Sequence, residues 1–384
     1  MRFVPLHRPF ALAICGLIVS ACAGGPSAPL PSRIPAAARR ASGAVAGRGC
    51  RPVFYTPRGA SKPGNLKPQG PGLVLGGGGT DVDAEFVWIH DTIAGSPIKR
   101  GGDLVVLRST GNNAYDRYIY RLAPYHSVRT LLLPTCAPPK ILAEAAAIVA
   151  KSTAVFFAGG NQADYVIWKN TPLQTAVQGV YDRGGVVGGT SAGEAILGDD
   201  VFDAVAEGNR DTTTDNAVHD PYERLITFTY DFLKFPVLRD VITDQHFASR
   251  NRFGRTSVFM ARQLADGRVH RRVPIVRAVA VDEASGLVID KRGIGTLLLQ
   301  YRGGGAFLIR GGAATQIEPG MPFVSGRLTV TKLRQNGDTF DFNRWCGNEP
   351  TYDVTVDGTE PNPLMYDPKN PYKPPAGSRI PHCR

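Results

Sequence analysis

The run Gly188-Gly189-Thr190-Ser191-Ala192-Gly193 constrains this chain more than any other, because it forces a serine onto a sharp turn between two elements. Val186-Val187 follow a Gly-Gly turn and read as a short buried strand, and Glu194-Ala195-Ile196-Leu197 read as the start of a helix. Glycines two residues before and two after the serine remove the side chains that would block such a turn, so the hydroxyl is left at its exposed tip. The serine also stands at a helix N-terminus, where unpaired N–H groups and the helix dipole favour negative charge. A plain glycine-rich turn is the competing reading of these six residues.

The chain has 384 residues, 43% of them hydrophobic, enough for one large or two modest domains. Its start is expected to lie outside the core. Arg2 and Arg8 precede an apolar run from Phe10 to Val19 that ends in Ser20-Ala21-Cys22-Ala23, so residues 1–22 read as a secretory signal too short to span a membrane. Val19-Ser20-Ala21-Cys22 resembles a bacterial lipobox, which makes Cys22 a candidate for lipidation and membrane attachment; Ala21-x-Ala23 also fits ordinary signal cleavage. The expected location is periplasmic, on the cell envelope as a lipoprotein, or secreted. Cys50, Cys136, Cys346 and Cys383 remain, an even set suited to two disulfides in an oxidising compartment, with their pairing open. No C-x-x-C pair is present, which argues against a zinc or redox site.

The net charge of +11 is unevenly placed. No Asp or Glu precedes Asp81, whereas Arg33, Arg39, Arg40, Arg48, Arg51, Arg58, Lys62 and Lys67 all do. Residues 23–71 therefore read as a flexible basic linker rich in Pro, Ala and Gly, and the remainder is near neutral. A solvated linker is the simpler reading; a tether along an acidic surface is the alternative. Without an RNA-binding signature or aromatics among the basic residues, nucleic acid is not expected as a partner.

Residues 72–294 read as an α/β domain. Apolar strands are expected at Leu73 to Leu75, Asp103 to Leu107, Val128 to Leu133, Thr153 to Phe157 and Val186-Val187. A helix is predicted from Pro138 to Lys151, and one or two more between Ala163 and Arg183. That alternation implies a parallel sheet with helices on both faces, and such sheets place their sites beyond the carboxyl ends of the strands. Gly76 to Gly79, Gly159-Gly160 and Ser191 all follow strands and should meet there. Gly198 to Lys234 reads as an irregular insertion or lid. Strand character resumes at Val276 to Val281 and Leu287 to Ile289, and residues 295–384 read as a β-rich extension whose tail after Trp345 is loop.

A serine hydroxyl needs a base, and histidine suits the task. His246 stands out among the histidines because Asp244-Gln245-His246-Phe247-Ala248-Ser249-Arg250-Asn251-Arg252-Phe253-Gly254-Arg255 is too polar for an ordinary core segment. His90, His126, His219 and His270 have no comparable surroundings in sequence. Asp282 and Glu283 end a strand, so by alternation one of them faces the site and can orient the base. Ala192 and either Gly159 or Gly160 can supply N–H donors for an oxyanion.

Together these segments resemble the cyanophycinase family of serine peptidases, relatives of the aspartyl dipeptidase called peptidase E. The resemblance rests on Leu75-Gly76-Gly77-Gly78, Phe157-Ala158-Gly159-Gly160-Asn161-Gln162, the serine elbow, Asp244-Gln245-His246-Phe247 with Arg250, Arg252, Gly254 and Arg255, and Val281-Asp282-Glu283. It implies a glutamine-amidotransferase-like (flavodoxin-like) α/β fold, a triad of Ser191, His246 and Glu283, and an oxyanion hole at Gly160 and Ala192. It implies a substrate pocket lined by Gln162, Asp244, Gln245, Arg250, Arg252 and Arg255. The family cleaves cyanophycin, a polyaspartate carrying arginine on each β-carboxyl, to β-aspartyl-arginine dipeptides, and it needs no metal or organic cofactor. Glu194 stands where the family usually has a small residue.

Three other readings share these residues: an exported aspartyl or isoaspartyl dipeptidase, an α/β-hydrolase esterase, and an inactive envelope binding protein on the same scaffold. The esterase family places its acid before its histidine, whereas the order here is serine, histidine, acid. The oligomeric state is left open, a homodimer included.

Overall fold

The computed structural model describes residues 50–380 except 209 and 271. The expected signal, Cys22 and Cys383 lie outside the described residues. No helix among the described residues is long and apolar enough to cross a membrane.

Apolar runs rich in Val, Leu and Phe form the centre of an 11-stranded sheet. Strands Ser127–Leu132, Asp103–Arg108, Ala154–Phe157, Val186–Thr190 and Gly72–Gly76 lie side by side in that order, all parallel. Being covered on both faces, they carry no polar alternation, as parallel strands should not. Helices Pro139–Val149 and Pro172–Asp182 cover one face, where Leu75, Leu107, Phe157 and Val187 point. Helices Asp83–Ala94 and Ala114–Leu122 cover the other, over Val74, Val106 and Phe156. Each such buried Val, Leu or Phe contributes roughly 1.5–3 kcal/mol. The class expected from sequence, parallel α/β with a β-rich C-terminal part, is the class observed.

The C-terminal strands divide between two sheets. Ser285–Ile289 pairs antiparallel with Gly72–Gly76, and Ile294–Leu299 and Thr339–Asp341 extend the same sheet outward. A second, six-stranded sheet begins with the parallel pair Val241–Gln245 and Val276–Val281 and continues through Ala306–Gly311, Leu328–Leu333 and Thr351–Val356.

Four regions differ from the sequence expectation. Residues 50–71, expected within the flexible linker, carry strands Val53–Phe54 and Arg58–Gly59, which pair antiparallel with Ser127–Leu132. Helices Asp83–Ala94 and Ala114–Leu122 were not foreseen, because Glu85, His90 and Asp116 occupy buried positions and blur the apolar stripe. Gly198 to Lys234 is not irregular. It holds a two-stranded sheet, Asp200–Phe202 with Phe228–Tyr230, and a helix Thr214–His219 closed by a capping box from Thr213 to Asn216. Phe202, Ala217, Val218 and Ile226 pack with Phe253, Val258 and Phe259, so the stretch is anchored to the core. The tail after Trp345 contains the strand Thr351–Val356, whose side chains alternate between buried and open.

Cys50 and Cys136 form a disulfide across an 86-residue separation, tying the start of the described chain to the sheet's outer strands. Cys346 is disulfide-bonded as well.

Candidate active site

The serine elbow forms as the glycine spacing requires. Ser191 adopts φ 55° and ψ −121°, a strained conformation for a residue with a side chain, directly before the one-turn helix Ala192–Ala195. Gly189 and Gly193 allow the turn to close: a β-carbon on Gly189 would stand 2.3 Å from the Gly193 carbonyl oxygen, and one on Gly193 would stand 2.2 Å from that of Phe157.

His246 follows the strand Val241–Gln245, and its Nε2 lies 2.7 Å from Ser191 Oγ. Its Nδ1 lies 2.6 Å from Glu283 Oε1. A carboxylate can only accept, so Nδ1 carries the proton and Nε2 is left free to receive the serine's. Of the two acids at the strand end, Glu283 therefore faces the histidine. Asp282 turns away and accepts the backbone N–H of Ser249 through Oδ1 at 2.9 Å.

One loop holds all three segments, a function that the sequence reading did not assign to it. The carbonyls of Gly76, Gly77 and Gly78 accept the backbone N–H groups of Ser191, His246 and Ala284 at 2.8, 2.8 and 3.0 Å. Gly78 has φ +90°, and a β-carbon there would stand 2.5 Å from His246 Cε1. Only glycine lets this loop pass beneath the imidazole. Strands ending in glycine runs are the available signal; which partners the carbonyls would take was invisible without the second sheet.

The two candidate oxyanion donors flank the serine. The β-carbon position of Gly159 lies 3.5 Å from Ser191 Cβ, and that of Gly160 lies 3.6 Å from Ser109 Oγ. Ala192 opens the elbow helix and is buried.

The expected pocket arginines separate into two kinds. Asp244 and Arg255 are both 2% exposed and form a two-point pair, Nε to Oδ2 at 3.0 Å and Nη2 to Oδ1 at 2.5 Å. Thr256 Oγ1 donates to the same carboxylate at 2.6 Å, and Arg255 Nη1 donates to the Thr212 carbonyl at 2.9 Å. Arg252 Nη1 donates to the Gln245 side-chain oxygen at 2.6 Å and stands 3.5 Å from Asp244. Burial pushes Asp244 up, but Arg255 and Arg252 outweigh it and hold the carboxyl below its usual range. In this structure Asp244, Gln245, Arg252 and Arg255 are engaged with one another, because buried charge must be paired where water cannot reach it. Arg250 is open, about half exposed, with Nε 3.8 Å from Glu283 Oε1. Gln162 is buried, its side-chain nitrogen 3.4 Å from the Phe202 carbonyl.

The C-terminal extension braces this segment. Tyr372 donates to Asn251 Oδ1 at 2.9 Å, accepts the N–H of Phe253, and packs on Phe247 and Phe307.

His246 is held far below an ordinary histidine, at about 3, by burial first and by the positive charge of Arg250 and Arg252 next. The imidazole is thus neutral over the physiological range, the form a general base requires. The acidic limb of kcat/KM is expected well below pH 6.5. Arg250→Gln removes a cation that disfavours imidazolium, so it should move that limb upward; a limb that stays in place would refute this electrostatic account.

Glu194, beneath the elbow, is fully buried, and among the described residues neither carboxyl oxygen has a hydrogen-bond partner. Burial, then the nearby Asp244 and Glu85, push its carboxyl well above the usual range. Asp199, Asp240 and His270 could offer three ligand atoms within 4.8 Å of one another. They lie at the opposite end of strand Val241–Gln245 from His246, roughly 20 Å away.

No protein-family model and no curated protein matches the chain. Among solved structures it is similar to a peptidase from an acI-B1 Actinobacterium, at 16% identity and a TM-score of 0.42, over 72% of this chain and 98% of that one. It is also similar to a putative peptidase E protein from Listeria monocytogenes EGD-e, at 13% identity and a TM-score of 0.37, over 60% of this chain and 100% of that one.

Proposed function

We propose that this chain is an exported serine peptidase that hydrolyses aspartyl-type amide bonds, with cyanophycin as its substrate and β-aspartyl-arginine as its product. The observation that carries the reading is the continuous run from Ser191 Oγ through His246 to Glu283, at 2.7 and 2.6 Å. Ser191 attacks the scissile carbonyl carbon while His246 Nε2 takes the hydroxyl proton. The oxyanion that forms accepts N–H groups of Ala192 and Gly160. His246 then delivers the proton to the leaving amine, and water repeats the sequence in reverse roles to free the acyl group. Glu283 fixes the ring and stabilises its charged form. The choice of substrate rests on the sequence resemblance, and export rests on residues 1–22.

The test is to incubate the protein without residues 1–22 with insoluble cyanophycin, and separately with aspartyl and isoaspartyl dipeptides. The expected result is dipeptide release from the polymer that Ser191→Ala abolishes. Release from the small substrates alone would replace cyanophycin with a dipeptidase activity. No turnover together with no fluorophosphonate labelling of Ser191 would overturn the enzyme reading.

A further inference from the structure

With Arg252 and Arg255 engaged by Asp244 and Gln245, another cation is free to meet an acidic substrate. Arg108 ends strand Asp103–Arg108 at the sheet's carboxyl edge. Its Nε donates to the Thr110 carbonyl at 3.0 Å and its Nη1 to that of Asn112 at 3.0 Å, while its guanidinium carbon stands 5.3 Å over the Tyr115 ring. The head group is therefore held in place, yet no carboxylate among the described residues forms an ion pair with it. Asp81, whose carboxyl feels the charge of Arg108, accepts the Tyr115 hydroxyl at 2.8 and 3.0 Å.

Topology singles out the same spot. From Asp103–Arg108 the chain runs outward to Ser127–Leu132, whereas from Ala154–Phe157 it runs the other way to Val186–Thr190. These adjacent strands part in opposite directions, and such switch points open the crevice where sheets of this kind hold ligands. Arg108 stands on one lip and Gly159-Gly160 on the other. The register pairs Leu107 with Phe157 and Phe157 with Gly189, so Arg108 is level with Thr190, two strands or roughly 10 Å from the elbow.

The side matters. His246 and Gly78 flank Ser191 on one side, and Gly159 flanks it on the other. The leaving amine must lie toward the histidine that protonates it, which leaves the acyl part of the substrate to the other side of Ser191, the side on which Arg108 stands.

We propose that Arg108 anchors the free α-carboxylate of the arginine carried by the acyl-side aspartate, an assignment that rests on Ser191 being the nucleophile and on the β-amidated substrate proposed above. A guanidinium already fixed at two nitrogens and backed by an aromatic face meets a carboxylate with little further loss of freedom.

The test follows fluorophosphonate labelling of Ser191 in the full chain, with N-acetyl-β-aspartyl-arginine or the same compound amidated at the arginine carboxyl as competitor. The free acid should protect the native protein and the arginine amide should not. In Arg108→Gln that protection should weaken about 10- to 100-fold, and Arg108→Lys should restore part of it. Retained labelling of the variants reports that they are folded. Protection equal in native protein and Arg108→Gln, or absent from the native protein, overturns the assignment while leaving the nucleophile standing. No labelling of the native protein overturns the nucleophile and the anchor together.

Discussion

Ser191→Ala is expected to lower amide hydrolysis on the order of 10^6-fold while the fold stays intact. The serine hydroxyl makes one polar contact of consequence, the 2.7 Å bond to His246, and alanine keeps the β-carbon and the turn. His246→Ala should cost about as much, and the double variant little more than either, because nucleophile and base act as a unit. Glu283→Gln should lose about 10^4-fold, since an amide can donate to Nδ1 and so favour the wrong tautomer. Turnover by purified Ser191→Ala above a background matched for contaminating hydrolases would sink the assignment. So would additive losses in the double variant.

The second large effect is on stability. Asp244→Ala should destabilise the protein by about 3–5 kcal/mol, because it strands Arg255 and Arg252 in the interior and removes the acceptor of Thr256. For a chain of this size that is a fall in melting temperature of roughly 4–6 °C. The family resemblance gives Asp244 a different place, in the lining of the substrate pocket. The two roles separate cleanly in one measurement. A variant that melts like the native protein but has a raised KM would show that the carboxylate serves the substrate and that its pairing with Arg255 is incidental.

Much of the molecule was legible from its residues. The parallel strands announced themselves as short apolar runs, because burial on both faces leaves no room for polar alternation. The elbow was legible because its glycines answer steric demands within the same short segment. His246 and Glu283 could be paired with Ser191 only through the resemblance and the strand-end rule, as their contacts span 55 and 37 residues. What stayed hidden has a common cause. Sequence does not distinguish a charged side chain with a buried partner from one that awaits a ligand, so Arg252 and Arg255 read the same as Arg250. Helix Asp83–Ala94 was missed because Glu85 and His90 sit where a core residue is expected, and strand Thr351–Val356 because the Pro, Asn and Asp around it speak for loop.

The three consecutive glycine carbonyls that receive Ser191, His246 and Ala284 also govern when the site comes into being. Their partners arrive from segments more than a hundred residues further along the chain, so closing these loops demands that distant pairings be complete. A half-assembled chain has the serine but no aligned base, and the base but no oriented acid. Hydrolytic power is thus withheld until the last strands dock, and the growing polypeptide carries an inert serine through every earlier stage.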